Sequence, residues 1–410
     1  MRQIQELARD CLAECKQTTG ALAVLQAPVR VLEQALRELR AAMEALPPRG
    51  TRYRALTLPA VADGFDVLAD SLAALEPALE PLAGSSPGFE ACLARVRELG
   101  ERLGRWRDGG MASDAFADEL TDEAALARTA ARGGEVYWYE LSPRGFRCQR
   151  TPLDVSAPLR QHREQSRAAW VFTSATLAVG GGFQHLGRKL GLFDPDTLLE
   201  PSPFDWPRQA LCYLPRDLPE PNTREFGAAM LAAVRPVLEA SGGRAFLLFA
   251  SHRALREAAQ ALRGAPWPLF VQGEAPKAEL LQRFRESGNG VLLGSASFRE
   301  GVDVAGDALS VVVVDKLPFA APDDPVFEAR LEAVRRSGGN PFRDEQLPQA
   351  VIALKQAVGR LIRTESDRGV LVLCDPRLTG KSYGRAFMDS LPDFTVTRSL
   401  QEVQAFFTRA

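Results

Sequence analysis

The chain has 410 residues, and 50 basic against 52 acidic side chains leave a net charge of −2, which excludes a bulk electrostatic attraction for nucleic acid, so any such contact must come from a local patch. At roughly 150 residues per domain there is room for two or three domains with real cores, and 46% hydrophobic with 25% charged residues excludes wholesale disorder. No apolar run approaches the roughly 20 residues of a membrane helix, and the polar start Met1-Arg2-Gln3-Ile4-Gln5-Glu6 is no secretory signal, so the expected compartment is the cytoplasm, with no membrane partner.

The first part reads as helical. Leu32, Leu36, Leu39, Met43 and Leu46 step by four and three, as do Phe65, Leu68, Leu72, Leu75, Leu79 and Leu82. Phe89, Cys92, Val96, Leu99, Leu103 and Trp106 repeat the pattern. Each stripe seats one face of a helix against a neighbour. Pro47-Pro48-Arg49-Gly50 and Gly84-Ser85-Ser86-Pro87-Gly88 punctuate the stripes as turns. An antiparallel helical bundle over residues 1–130 is expected. Cys11 and Cys15, one helical turn apart on an apolar face, and the dispersed Cys92, Cys148, Cys212 and Cys374 read as buried thiols. His162, His185 and His252 are too scattered for a histidine-rich zinc site, and no metal ligands are assigned.

Around Gly133-Gly134 the pattern changes. Val136-Tyr137-Trp138-Tyr139-Glu140-Leu141 is a strand, Ser142-Pro143-Arg144-Gly145 a turn and Phe146-Arg147-Cys148 the return strand. From Ala169 onward, apolar runs alternate with helical stretches. Trp170-Val171-Phe172 precedes Thr173-Ser174-Ala175-Thr176-Leu177, and Ala245-Phe246-Leu247-Leu248-Phe249 precedes Ala250-Ser251-His252-Arg253. Val291-Leu292-Leu293, the valines 311–314 and Val370-Leu371-Val372-Leu373 run into Gly294-Ser295, Asp315-Lys316 and Cys374-Asp375. Continuous apolar strands separated by helices predict an α/β fold whose parallel sheet is covered on both faces. Ligands bind beyond the carboxyl ends of such strands, where these polar clusters stand.

The most informative cluster is Gln356-Ala357-Val358-Gly359-Arg360-Leu361-Ile362-Arg363. Gln356, Gly359, Arg360 and Arg363 are three or four apart and are expected on one face of a helix that begins near Leu347. Two guanidinium groups one turn apart repel unless an anion lies opposite, and polyphosphate oxygens suit their forked donors. The alternative is a pair held by carboxylates of a neighbouring helix. A second cluster, Ser295-Ala296-Ser297-Phe298-Arg299-Glu300-Gly301-Val302-Asp303-Val304-Ala305-Gly306, offers hydroxyls, a glycine for close backbone approach and two carboxylates. Taken alone it reads equally as a strand-to-helix turn.

Together these segments resemble superfamily 2 helicases. Thr173-Ser174-Ala175-Thr176-Leu177, Ser297 to Asp303, Asp315-Lys316-Leu317-Pro318-Phe319 and Gln356 to Arg363 are similar to their motifs III, V and VI. The resemblance is to the XPD-like branch that includes the bacterial DinG and YoaA proteins. Gly339-Asn340-Pro341-Phe342, Gln346-Leu347-Pro348-Gln349-Ala350 and Asp375-Pro376-Arg377 give it a YoaA-like character over residues 135–410.

The resemblance implies a RecA-like second motor domain over residues 205–410, the returning strands and motif III segment of a first motor domain over 131–204, and an Arch-like domain over 1–130. It implies an ATP-dependent DNA helicase of 5′-to-3′ polarity acting in repair or replication, with ATP and Mg²⁺ shared with a first motor domain. Arg360 and Arg363 would be the catalytic arginines. Gln356, Gly359, Glu300, Gly301 and Asp303 would face the nucleotide, and Ser251, His252, Arg253, Ser295 and Ser297 the backbone of single-stranded or forked DNA. Thr173, Ser174 and Thr176 would couple the two. For Ser251 and Ser297, helix N-capping is the competing reading.

The family's Walker A loop, DEAH box and four ligands of a 4Fe-4S cluster lie upstream of the Arch domain, and none stands in this sequence. The run Asp375 to Ser382 ends in Gly-Lys-Ser, but Asp375 occupies the place of the first phosphate-cradling glycine. Asp122-Glu123-Ala124-Ala125 follows no buried strand. The chain is therefore expected to be inactive alone and to need the upstream half of the helicase. The resemblance also implies the chi subunit of the polymerase clamp loader as a partner of the tail, whose Val403, Phe406 and Phe407 otherwise dock on their own domain. The alternative is a non-catalytic DNA- or protein-binding module acting through the helical arm or the tail.

Overall fold

The computed structural model describes residues 1–109, 134–295, 298, 306–320 and 324–408. The chain forms two compact units, Met1–Val155 with Ala321–Pro341, and Ser156–Ala320 with Phe342–Ala410.

The helical unit contains α1 (Arg2–Glu14), α2 (Ala21–Ala42), α3 (Arg52–Leu56), α4 (Pro59–Ala73), α5 (Leu75–Ala83) and α6 (Pro87–Asp108). The start of α6 shows why the sequence turns there: the Ser86 hydroxyl accepts the Phe89 N–H, and Pro87 occupies the first turn, where no N–H is missed. Leu32, Leu36, Leu39, Met43, Phe65, Leu68 and Phe89 are all buried in one core. Phe65 lies 4.8 Å from the Trp106 ring and 6.2 Å from that of Phe146.

Two expectations are modified in this unit. The stripe from Phe65 to Leu82 is carried by two helices that break at Ala74, rather than by one. The hairpin β2 (Glu135–Ser142) and β3 (Gly145–Pro152) joins the helical unit instead of a motor-domain sheet. It extends from β1 (Arg49–Thr51) in an antiparallel ladder that pairs Gly50 with Tyr139. A β-carbon on Gly50 would lie 2.6 Å from the Tyr139 hydroxyl, so only glycine allows this approach. Trp106 on α6 donates its indole N–H to the Trp138 and Gln149 carbonyls, at 3.3 and 3.2 Å. The helix Pro325–Arg336 packs on the same hairpin.

The sheet unit contains β4 (Ala210–Tyr213), β5 (Ala245–Phe249), β6 (Leu269–Val271), β7 (Val291–Ser295), β8 (Val311–Val314), β9 (Gly369–Leu373) and β10 (Thr395–Thr397). They form one parallel sheet in the order β10-β4-β9-β8-β5-β7-β6. Alternate residues of the inner strands enter two separate cores: in β5, Phe246 and Leu248 one, Ala245, Leu247 and Phe249 the other. That is why the strands read as unbroken apolar runs.

Trp170-Val171-Phe172 is not a strand. Its residues are exposed, Val171 to 82%. An apolar run needs a neighbouring ladder to satisfy its backbone, and no described strand pairs with it. The tail forms a helix, Leu400–Thr408, whose Val403 is fully buried and whose Phe406 and Phe407 pack half-buried against the core that Val403 enters. No described helix is long and apolar enough to cross a membrane.

Candidate nucleotide and nucleic-acid site

From β5 the chain proceeds toward β6 and β7, and from β8 it proceeds the other way, toward β9 and β10. The polar loops at the carboxyl ends of β5, β8 and β9 flank that reversal, where doubly wound sheets bind ligands.

The Gln-x-x-Gly-Arg-x-x-Arg segment differs in one respect from its expected form. The helix Leu347–Val358 ends before the arginines, with Gly359 as its C-cap. Gln356 is helical, while Arg360 stands in a tighter terminating turn, its N–H on the Ala357 carbonyl at 3.2 Å. Arg363 lies beyond that turn and outside any helix, so the four residues do not share one helical face. Buried Leu361 and Ile362 anchor the turn, which leaves Arg360 and Arg363 half-buried. A β-carbon on Gly359 would meet only the Lys355 carbonyl, at 3.4 Å, so the chain's own packing does not crowd the space beside it.

The turn is held by two residues absent from the sequence-derived set. Buried Asp367 accepts the Arg363 N–H at 2.7 Å, the Thr364 N–H at 2.9 Å and hydroxyl at 2.8 Å, and the Gly306 N–H at 3.2 Å. Gln209 donates its side-chain amide to the carbonyls of Thr364, Glu365 and Asp367, at 3.0, 3.1 and 2.9 Å. The backbone that carries Arg363 is thus fixed on both its N–H and C=O sides. Thr364 and Asp367 form a local Thr-x-x-Asp turn signal that the sequence shows; Gln209, 155 residues from Thr364, carries none.

Asp315, directly after β8, is 2% exposed. One carboxylate oxygen accepts the Ala250 N–H at 2.9 Å and the Lys316 N–H at 2.6 Å, and the other is buried without a partner. Burial pushes its carboxyl up to about 7 against these two N–H bonds. Asp375, at the end of β9, accepts the Leu317 N–H at 2.8 Å and pairs with the Arg377 guanidinium at 2.6 Å. Hydrogen bonding to Asp375 holds Arg377 further toward its charged form. Asp375 is thus committed to the Leu317 N–H and to Arg377. Two carboxylates therefore tie the loops after β5, β8 and β9 together.

Ser251 caps the helix His252–Ala261, its hydroxyl accepting the Ala254 N–H at 3.1 Å. Ser251, His252 and Arg253 are all exposed, and Arg253 reaches Glu257 at 3.7 Å. Ser295 departs from the expected DNA-contact set: it is 5% exposed and its N–H and hydroxyl reach the Gln272 side-chain oxygen at 2.7 and 3.0 Å, so a backbone phosphate finds no free hydroxyl there. Ser297, Glu300, Gly301 and Asp303 lie outside the described residues, as does the Asp122–Ala125 run. Thr173 and Ser174 are exposed and Thr176 half-buried; the Ser174 hydroxyl accepts the Thr176 N–H at 3.2 Å. Two residues beyond Thr176, the Ala178 carbonyl accepts the Lys355 ammonium at 2.9 Å. The Thr-Ser-Ala-Thr-Leu segment is thereby attached to the helix that carries Gln356, and burial lowers the Lys355 pKa. Among the described residues no group of three or more His, Cys, Asp or Glu is arranged to hold a metal ion.

Residues 234–394 match the helicase C-terminal domain family. The ATP-dependent DNA helicase YoaA of Escherichia coli K12 is 37% identical over 406 residues, 99% of this chain and 60% of that protein. Nearly the whole chain is thus similar to part of an ATP-dependent DNA helicase, and residues 234–394 carry the helicase C-terminal domain. The ATP-dependent helicase DinG of Mycobacterium tuberculosis H37Rv is 37% identical over 264 residues, 63% of this chain and 40% of that protein. The solved structure of an XPD helicase shares the fold, with a TM-score of 0.53 at 15% identity over 96% of this chain and 64% of that one. The chain thus spans about 60% or less of the family relatives it matches.

Proposed function

We propose that this chain is part of an ATP-dependent DNA helicase, and that its sheet unit is the second motor domain, completing a nucleotide pocket whose other wall is a first motor domain. The carrying observation is the pair Arg360 and Arg363, half-buried at a helix end whose backbone Asp367 and Gln209 immobilise. Guanidiniums carried on a backbone held in this way would meet developing charge on a transferred phosphoryl group with little reorganisation of the chain. An arginine in that role is typically worth about 10³–10⁵ in rate. Mg²⁺, bound with ATP on the first motor domain, supplies further charge neutralisation. Gln356 senses the nucleotide, and Gly359 leaves room for its approach; Glu300, Gly301 and Asp303 complete this reading of the pocket.

Ser251, His252 and Arg253 contact the sugar–phosphate backbone of single-stranded DNA in this reading, without sequence preference. Thr173, Ser174 and Thr176, attached through Ala178 to Lys355, transmit closure on ATP to the DNA track. Support comes also from the relatives, which are named as ATP-dependent helicases. The 5′-to-3′ polarity, the 4Fe-4S cluster of an upstream part and the chi-subunit partner enter through resemblance alone. The buried side of the tail helix is already used by its own domain, so a partner there would take the exposed side.

The test is Arg360→Ala and Arg363→Ala in the whole protein. DNA-stimulated ATP hydrolysis is expected to vanish in each, with affinity for single-stranded DNA within about twofold of the parent. Near-normal turnover in both variants overturns the assignment.

A further inference from the structure

We infer that Gln209 is a positioning residue for Arg363: its side-chain amide clamps the segment by which the chain enters β4 to the turn that carries the arginine. The inference rests on the nucleotide reading above and deepens it. It makes the rate of phosphoryl transfer depend on a residue that touches no nucleotide and lies 154 positions away in the sequence, counted from 209 to 363.

The pairing of two strands brings the parts together. β4 and β9 run parallel with Ala210 opposite Gly369, so the residue before β4 stands beside the residues that lead into β9. Gln209 is that residue, the last of a one-turn helix, Trp206–Gln209, and Thr364 to Asp367 are the approach to β9. Gln209 is buried, and both ends of its amide are engaged. The nitrogen donates to the three carbonyls of Thr364, Glu365 and Asp367, and the oxygen accepts the Asp205 N–H at 2.9 Å. Only an amide does both. A carboxylate would turn an oxygen toward three carbonyls, and an ammonium or guanidinium would leave the Asp205 N–H without its acceptor.

Each side of the clamp is anchored elsewhere, which is what lets it set a position. On the entry side, Trp206 donates its indole N–H to the Ser202 hydroxyl at 2.8 Å and its ring lies 5.0 Å from that of Phe394. The neighbouring Pro207 carbonyl accepts the Thr395 hydroxyl at 3.2 Å. On the turn side, buried Leu361 lies against Gly369, where a β-carbon would come within 2.5 Å of the leucine side chain. Asp367 holds the N–H groups of Arg363 and Thr364, and Gln209 holds the carbonyls that follow. Removing either partner leaves the turn fastened on one side only. A misplacement of about 1 Å at a group that meets a transition state costs about a hundredfold in rate.

Two variants test it. Gln209→Met keeps the length of the side chain and removes donor and acceptor together; Gln209→Glu keeps the acceptor for the Asp205 N–H and loses the donors. In the 410-residue chain, amide hydrogen exchange over residues 361–368 should be about tenfold faster in Gln209→Met, while β5, β7 and β8 exchange as in the parent. In the whole protein, kcat of DNA-stimulated ATP hydrolysis should fall about 10- to 100-fold in both variants, with KM for ATP within about twofold of the parent, as for a contact made only in the transition state. Exchange that quickens equally throughout the sheet unit, or a raised KM with kcat preserved, overturns the inference. So does an unchanged kcat in both variants beside an inactive Arg363→Ala, a result that leaves the nucleotide reading standing. Normal turnover in Arg363→Ala overturns the nucleotide reading itself, and this inference with it.

Discussion

The two units bury different chemistry. Among the described residues the helical unit withdraws the hydroxyls of Thr51, Ser71 and Tyr139 from water but buries no carboxylate, and its charges stay on the surface in pairs such as Arg97 with Glu76 and Glu80. The sheet unit buries four carboxylates: Asp315, Asp367 and Asp375 near the loops described above, and Glu345, 3.1 Å from Lys189. A buried charge costs stability unless it is paired or hydrogen-bonded, so its presence marks where geometry is being held for a purpose. The helical unit shows the opposite arrangement, with an apolar interior and charge left available at the surface. One unit holds its buried polar groups in fixed hydrogen bonds; the other keeps its charges on the surface.

The largest expected effect tests the apolar side of that contrast. Phe65→Ala should destabilise the helical unit by about 3–5 kcal/mol, as deletion of a fully buried aromatic does, measured by urea unfolding followed through Trp106 fluorescence. A loss below 1 kcal/mol would mean the core is not what holds this unit.

Asp367→Ala comes next, at on the order of 3 kcal/mol for the sheet unit, because it strands the N–H groups of Arg363, Thr364 and Gly306. In the whole protein it should also impair ATP hydrolysis, as a displaced Arg363 would. Intact stability with intact turnover would show the turn to be held by Gln209 alone.

Asp315 gives the contrast a pH dependence. Its folded pKa, about 7, lies above the ordinary value of 3.8, so folding favours the protonated form. Its contribution is complete below the unfolded pKa, declines as pH rises and is lost above about 7. Between pH 5 and 8 this one group should lower stability by on the order of 2–3 kcal/mol, and Asp315→Asn should flatten that slope when chemical unfolding is compared at the two pH values. An unchanged slope would rule out Asp315 as the titrating group.

The smallest effect is reserved for the helical surface. Glu98→Ala, which breaks the exposed ion pair with Arg102, should cost less than about 1 kcal/mol in the same unfolding assay. A larger loss would place structural weight on surface charge and blur the distinction between the units.

The strands from β5, β7, β8 and β9 were legible because each is a continuous apolar run, buried on both faces. β4, β6 and β10 were not; with three or four residues each they are too short to show a period. The aspartate directly after four valines at 311–314 is a signal in plain view, a charge at the end of a buried strand, yet its role depends on Ala250, 65 residues away. Arg360 and Arg363 were legible as a pair, whereas their support by Gln209 was not.

The amino-acid order by itself determined the helical stripes, the parallel strands and the identity of the polar residues that close them, because periodicity and capping act over a few residues. Tertiary structure alone decided that the hairpin joins the helices, that the helix stops before Arg360, and that Trp170 to Phe172 forms no strand. Those outcomes rest on pairing and burial between distant segments, whose energies no local window contains.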